Sequence, residues 1–301
     1  MRQGTPFVIW TIFVTTTGLL AILGSACIHV IAHVVLRRAR NRTAAVWWVL
    51  FWGGVLFLPV AVWVWRPISV KAWGIMGVSA IFEAGYFYAI ARAYSFETIS
   101  IVYPLARGTA PVFLLLWAGV GLREPVRAGG AVGVFVIALG LYLINLPQLR
   151  AWREPLRALT RPGPQWALFA GLCISLYSFV DRIGIGFLEP FIYTYVALWI
   201  TWGLLTPLTL REVGWQTVME EFRASKWGLM LAGFTTTAAY TIVLYVIING
   251  TPASYAGAVR EISVVFGVLV GMFFLKEEGT MMRLVGAVGV ACGVAIIKFF
   301  G

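Results

Sequence analysis

The residues best suited to chemistry in this sequence are charged side chains that stand inside long apolar stretches. Arg107 lies near the middle of the apolar run 98–121, which is long enough to cross a bilayer as a helix. A guanidinium at that depth costs about 3 kcal/mol on insertion scales, so we expect it to face a polar interior or a cavity. Pro104 and Pro111 flank it, and each removes a backbone donor, which predicts free carbonyl groups at Ser100 and Arg107.

The second half of the chain repeats this pattern. A displacement of 153 positions places Arg107 on Arg260, and in the same register Leu122-Arg123-Glu124 meets Leu275-Lys276-Glu277. Apolar and small residues coincide as well: Val112 with Val265, Phe113 with Phe266, Leu116 with Leu269, Gly133 with Gly286, and Gly140 with Gly293. An arginine, an acidic residue and two glycines in one register indicate a duplicated unit.

We expect Arg107 and Arg260 to bind an anionic group of a substrate. Two guanidinium groups at one cavity offer forked hydrogen bonds to a carboxylate or a phosphonate. The alternative is that each arginine is neutralised within the protein, since buried charges are normally paired. In that case Glu261 or Glu83 would pair with Arg260, and Asp181 or a free carbonyl would pair with Arg107.

Three acidic residues also fall inside apolar runs, namely Glu83, Asp181 and Glu261. Carboxyl groups that face a membrane cavity are candidates both for substrate contact and for proton coupling. A fixed ion pair is the alternative for each of them. Asp181 adjoins Arg182 near a predicted helix end, which also fits an interfacial position.

His29 and His33 stand one helical turn apart on one face. A displacement of 148 positions places them on Tyr177 and Asp181 in the corresponding helix of the second half, so both pairs could face the cavity. Zinc needs a third and a fourth ligand, and the sequence has no other histidine. We therefore expect a hydrogen-bonding cavity wall or a substrate contact, with no metal and no cofactor.

The aromatic residues divide into one candidate site residue and several packing residues. Tyr103 precedes Arg107 by one turn and shares its face, which makes it a candidate substrate contact. Helical spacing makes packing the simpler interpretation for Tyr86, Tyr88, Tyr240 and Tyr255. Tryptophans near the ends of the apolar runs are interpreted as interface anchors: Trp47, Trp48, Trp65, Trp73 and Trp227.

These residues must be positioned by membrane-spanning helices, because hydrophobic residues make up 60% of the chain, charged ones 12%, and the mean hydropathy is +0.88. The apolar runs lie near 7–36, 44–65, 72–94, 98–121 and 128–146, and then near 165–186, 190–210, 227–248, 252–275 and 281–299. The sequence therefore predicts an all-α polytopic membrane protein with five spans in residues 1–146, a basic linker at 147–164 and five spans in residues 165–301. The three cysteines are interpreted as helix-packing residues.

An odd number of spans per repeat forces the two halves into opposite orientations, as in many secondary transporters, and predicts a site at the midplane between them. We expect alternating access by rocking of the halves, with hinges near Pro104, Pro111, Pro252 and the glycines. About twice as many Lys and Arg residues fall in the odd-numbered loops as in the even loops and tails, which favours termini outside the cytoplasm.

The sequence resembles the EamA-like ten-helix branch of the drug/metabolite transporter superfamily. The resemblance rests on the segments Ala91–Tyr94, Val102–Gly108, Leu122–Glu124, Ala258–Val265 and Leu275–Glu277. The segment Tyr177–Asp181 is similar to a sequence pattern of a subgroup that is linked to phosphonate-utilisation genes. The resemblance implies a multi-pass protein of the bacterial inner membrane that exports or exchanges a small polar metabolite. It also implies cytoplasmic termini, in conflict with the loop charges.

The resemblance allows either a monomer or a homodimer packed through the fifth and tenth helices. Their glycines have the small-residue spacing of close helix contacts, which intramolecular packing explains equally well: Gly130, Gly133, Gly140, Gly286, Gly289 and Gly293. The expected partners are membrane lipid, the substrate, and a proton or counter-substrate, with no nucleic acid. A channel or a structural membrane protein is the alternative function. An enzyme is disfavoured because no compact metal or phosphate motif is present.

Overall fold

A computed structural model describes residues 14–97, 99–124, 126–144, 146, 148–153, 157–273 and 281–301, and regular structure within these ranges is entirely helical. The α-helices are α1 Thr16–Arg38, α2 Arg42–Val64, α3 Val70–Phe96, α4 Ile99–Gly121, α5 Ala128–Ile144, α6 Pro162–Gly184, α7 Pro190–Ile248, α8 Ala253–Arg260, α9 Ile262–Phe273 and α10 Met281–Phe300. Short 3₁₀ turns, Leu149–Ala151 and Ala158–Thr160, lie between α5 and α6.

Helix α7 supplies two membrane crossings rather than one. Its 59 residues would extend roughly 90 Å at 1.5 Å per residue, about three times the thickness of a hydrocarbon core. The helical conformation is interrupted at Gly214, where φ is 76°, and again at Ser225. Only glycine readily adopts such a φ, so Gly214 marks the point where the chain turns back. With α8 and α9 counted as one broken span, the described chain makes ten crossings, as the sequence predicted.

The two five-helix halves pack as an inverted repeat. Helix α5 packs against its counterpart α10, and α3 and α4 pack against α6. Helix α2 packs against both parts of α7, that is, against its counterpart near Trp202 and against the last part near Gly233. In the repeat, α3 corresponds to the last part of α7, and α6 corresponds to α1. The contact between α3 and α6 therefore has a counterpart between α1 and the last part of α7. This counterpart is present, since the Ser25 hydroxyl donates to the Ala239 carbonyl oxygen at 2.8 Å. Most of the interhelical packing therefore runs between halves rather than within them.

The described part of the chain begins and ends on one face, which we call the terminal side. Lys298, near the end of α10, donates to the carbonyl oxygen of Val14 at 2.8 Å. The opposite face, which we call the linker side, carries the α1–α2 and α3–α4 turns, the 3₁₀ turns before α6 and the Gly214 turn of α7. An odd number of spans per half requires this arrangement.

The glycines of α5 and α10 serve packing inside one chain. A Cβ on Gly140 would lie 2.7 Å from the Gly286 carbonyl oxygen, and one on Gly293 would lie 2.8 Å from the Gly133 carbonyl oxygen. These helices approach closely enough for backbone contact, which only glycine permits at both positions. Of the two interpretations left open by the sequence, intramolecular packing accounts for this spacing.

Two sequence interpretations differ from the structure. Trp47 and Trp48 fit the membrane interface by sequence position, but they are only 5% and 7% exposed, because they pack between α2 and α7 in an aromatic cluster with Trp202 and Phe222. Helix α6 begins at Pro162, inside the predicted linker 147–164, since a proline in the first helical turn needs no backbone donor.

A buried carboxylate joins the halves on the terminal side. Glu124, in the loop after α4, accepts hydrogen bonds from the backbone nitrogens of Ala253 at 2.8 Å and Ser254 at 3.3 Å, and from the Ser254 hydroxyl at 2.9 Å. These donors lie in the first turn of α8, where an anion stabilises the helix. The Leu122–Glu124 motif of one half therefore fixes the start of the broken span in the other. Its repeat counterpart, Leu275–Glu277, lies outside the described residues.

Candidate functional site

A cavity of about 670 Å³ lies between the two halves. Its lining comes from α1 to α5, α7, α9 and α10. Arg42 and Glu212, which lie at the linker-side ends of their segments, mark its mouth, whereas Arg107 lies at its inner end. The wall is mostly aliphatic and aromatic, including Trp47 and Tyr86.

Arg107 forms an ion pair with Glu261 at the inner end of this cavity. The distance from Arg107 Nε to Glu261 Oε2 is 3.2 Å, and the two side chains are 14% and 6% exposed. Glu261 is the turn residue between α8 and α9, so the pair joins α4 of one half to the break in the corresponding span of the other. Sequence reasoning offers Asp181 or a free carbonyl as a possible partner of Arg107, and Glu261 or Glu83 as a possible partner of Arg260, so it misses this pair.

Arg260 occupies a different environment from its repeat counterpart. Its guanidinium lies over the ring of Tyr240, with Cζ 5.6 Å from the ring centroid, a cation–π arrangement. It also acts electrostatically on Glu83 and Asp181. The duplicated arginines are therefore not equivalent: Arg107 faces the cavity, while Arg260 lies among aromatic and acidic side chains.

The two guanidinium groups nevertheless converge on one region. Both act electrostatically on His33, on Glu261 and on Tyr86, side chains from α1, from the α8–α9 turn and from α3. The structure thus places both arginines near a common set of side chains, but Arg107 lines the cavity and Arg260 does not, whereas the sequence led us to expect both at one cavity.

Asp181 is the centre of a buried hydrogen-bond network. Its carboxylate accepts hydrogen bonds from three hydroxyl groups, those of Ser79, Tyr193 at 2.8 Å and Tyr240. Asp181 is 1% exposed although it lies three residues before the end of α6, because the start of α7 packs over that end of the helix.

The network lies on the terminal side of the cavity. Ser79 lies in α3, Asp181 in α6, Tyr193 at the start of α7 and Tyr240 in its last part, so four helix segments meet at one carboxylate. Tyr193 is fully buried.

Glu83 lies closer to the middle of the membrane. Its Oε2 accepts a hydrogen bond from the Thr201 hydroxyl of α7 at 2.6 Å, and the residue is 9% exposed. Tyr177 of α6 lies within the electrostatic influence of the same charges, those of Arg260 and Glu83.

The histidines form the α1 wall of the site. The rings of His29 and His33 meet edge to face with centroids 4.6 Å apart, and His33 lines the cavity. Within the described residues, His33 Nε2 and the nearby Ser263 hydroxyl are buried without a hydrogen-bond partner, as is His29 Nδ1. Buried polar atoms without partners are uncommon and mark positions where a bound molecule or water is expected.

Ser263 is a cavity residue that sequence reasoning missed. It lines the cavity at the start of α9 and is 2% exposed. Its position two residues after Glu261, at the break of the span, was the available signal. The side chain of Tyr103, the remaining candidate, lies outside the described residues.

The charged side chains of this region do not form a simple anion-binding site, because they carry both signs of charge. Two arginines, Arg107 and Arg260, face three carboxyl groups, those of Glu83, Asp181 and Glu261. Paired charges of both signs at one end of an apolar cavity suit a ligand that itself carries both signs. Among the described residues no group of three or more metal-binding side chains occurs.

The comparisons with known proteins agree with this architecture. The sequence matches the model of the EamA-like transporter family over residues 16–146 and 161–299, one repeat in each half. A solved structure, described as "Crystal structure of protein", aligns with a TM-score of 0.73 over 95% of this chain and 99% of that one, at 13% identity, which shows a shared fold. No curated protein is similar enough to the chain to count as a match.

Proposed function

Since the chain belongs to the EamA-like transporter family, a branch of the drug/metabolite transporters, we propose that it is a secondary active transporter of a small polar metabolite. The binding site lies at the inner end of the central cavity, around Arg107, Glu261, His33 and Ser263. Arg260, Glu83, Tyr177 and Asp181 form its floor.

The observation that carries the substrate assignment is the Arg107–Glu261 ion pair at 3.2 Å. A guanidinium and a carboxylate side by side offer donors to a carboxylate or phosphonate and acceptors to an ammonium group. A zwitterion satisfies both, whereas a dianion would have to displace or repel Glu261. The apolar wall with Trp47 and Tyr86 suits the uncharged part of the molecule. We therefore favour a zwitterionic metabolite over a plain anion.

Transport proceeds by alternating access. The cavity opens on the linker side while the Asp181 network holds the terminal side shut. Rocking of the two halves opens the terminal side when the hydroxyl groups of Tyr193 and Tyr240 leave Asp181. The break at Glu261, directly beside the site, gives the second half a hinge within a span.

The sequence also predicted hinges at Pro104 and Pro111, but α4 runs from Ile99 to Gly121 as one helix. The hinge therefore lies in the second half, next to Pro252 and Glu261. Coupling uses a proton or a counter-substrate, with Glu83, Asp181 and Glu261 as the candidate proton carriers. Export across a bacterial inner membrane is the direction and location that we propose.

The test is counterflow in vesicles that hold the purified protein. Vesicles are loaded with a defined mixture of amino carboxylates, aminophosphonates and dicarboxylates, and efflux of each compound is followed by mass spectrometry. The proposal expects saturable efflux of zwitterions well above that of dicarboxylates. Arg107→Gln and Glu261→Gln should abolish it, whereas Arg38→Gln, at the exposed end of α1, should not. Equal flux of all classes, or a conductance without saturation, would indicate a channel instead.

A further inference from the structure

A second groove lies on the terminal side, away from the central cavity. It runs between the end of α2 and both parts of α7, and its volume is about 990 Å³. Trp63 and Trp65, which are 86% and 50% exposed, stand at its rim together with the exposed Arg66. Exposed indoles and an arginine at the end of a spanning helix mark the level of the lipid headgroups.

The groove also contains two buried polar atoms without partners. Glu189 caps the start of α7 through Oε2, which accepts a hydrogen bond from the Ile192 nitrogen at 3.1 Å. Its other oxygen, Oε1, is buried and has no hydrogen-bond partner within the described residues, and the same holds for the Thr241 hydroxyl. A carboxylate oxygen that is shielded from water calls for a donor, because leaving it unpaired is costly.

We propose that this groove binds a phospholipid whose headgroup carries a primary ammonium as well as a phosphate. The ammonium donates to the unpaired oxygen of Glu189, and the phosphate contacts Arg66 at the rim. Thr241 lies seven residues before the end of α7, roughly 10 Å deeper along the helix axis. At that level a lipid ester oxygen can accept a hydrogen bond from the Thr241 hydroxyl. The exposed indoles of Trp63 and Trp65 flank the headgroup.

The chemistry of the groove distinguishes between headgroups. A trimethylammonium group has no N–H and cannot satisfy Glu189, although its phosphate can still reach Arg66. An anionic headgroup without an amine brings a second negative charge to the carboxylate. The groove therefore selects phosphatidylethanolamine over phosphatidylcholine and phosphatidylglycerol. This site is independent of the proposed transport activity.

The experiment is native mass spectrometry of the full chain in detergent, with the three lipids added at equal concentration and with identical acyl chains. We expect phosphatidylethanolamine to be retained about tenfold more than phosphatidylcholine, as the gain of one charge-assisted hydrogen bond implies. Glu189→Gln should remove this preference while keeping an oxygen to cap α7. Arg66→Gln should weaken all three lipids alike, because all carry the phosphate.

The matched control is Lys71→Gln, which removes an exposed terminal-side cation outside the groove and should leave the lipid profile unchanged. Equal retention of phosphatidylethanolamine and phosphatidylcholine by the unmodified protein overturns the proposal without any variant. So does a dimer that forms without bound lipid and is lost on Arg66→Gln, since the groove would then hold a second copy of the chain.

Discussion

Asp181 and Tyr240 join α6 to the last part of α7 through a buried hydrogen bond, and the same tyrosine ring carries the Arg260 guanidinium on its face. One side chain thus links the charged centre of the molecule to the Asp181 carboxylate. In the transport cycle that we propose, Tyr240 would connect movement of Arg260 to opening of the terminal side.

Tyr240→Phe tests whether the Asp181 network holds the terminal side shut. The substitution removes one of three donors from a buried carboxylate and should lower stability by about 1 kcal/mol. A cysteine placed at Ser79 should also be labelled faster by a membrane-impermeant thiol reagent from the terminal side. The matched control is Tyr245→Phe, on the exposed face of the same helix. If stability falls as expected but the labelling rate does not change, the Asp181 network stabilises the fold and does not act as a gate.

Variants of the Arg107–Glu261 pair distinguish a role in substrate binding from a role in stabilising the fold. Neutralising either partner alone leaves an uncompensated buried charge, so Arg107→Gln and Glu261→Gln should each destabilise the protein by about 3 kcal/mol. Replacing both, as Arg107→Met with Glu261→Leu, should restore much of that stability in thermal unfolding. Counterflow should stay absent in the double variant. If the double variant transports, the pair serves the fold and not the substrate.

Glu124 should be one of the most sensitive positions outside the site. Glu124→Ala removes the acceptor for three hydrogen bonds at the start of α8 and leaves Arg182, whose Nε lies 4.0 Å from Glu124 Oε1, without that carboxylate. We expect a loss of about 3 kcal/mol or more, since the groups are buried. Glu220→Ala, at an exposed position on the linker side, should be nearly neutral in the same thermal-unfolding assay.

The α5–α10 contact should reject even a methyl group. Gly140→Ala would place a carbon 2.7 Å from the Gly286 carbonyl oxygen and from the Val290 nitrogen, and backbone cannot move aside cheaply. We expect a loss of about 1–3 kcal/mol. Gly119→Ala in α4 meets nothing within 4 Å and should be neutral or slightly stabilising, because alanine favours a helix. Equal melting temperatures for the two variants would contradict this packing.

Much of the fold could be predicted from the sequence because its signals are local or repeated. Apolar runs of spanning length located the membrane helices, and the 153-residue register that pairs Arg107 with Arg260 showed two copies. Most helix bounds moved by a few residues, whereas α1 begins at Thr16, with residues 7–13 outside the described range, and the runs 190–210 and 227–248 belong to the single helix α7. Pro162 was misassigned because a proline can either end a helix or begin one, and the choice depends on the residues that come after it.

The contacts of individual side chains could not be predicted. Trp47 and Trp48 fit an interface by position, yet α7 covers them. Glu261 was one of two alternative partners considered for Arg260, the other being Glu83, but its carboxylate lies beside Arg107 of the other half.

The sequence by itself determined the class of molecule, the number of spans and the inversion of the halves, because hydrophobic length and an odd span count leave few alternatives in a bilayer. Only the tertiary structure decided which charges are paired, which helices line the cavity and which hydroxyl groups surround Asp181. Those outcomes depend on how helices that are distant in the chain are rotated and packed against one another. The periodicity of a single helix does not determine this packing.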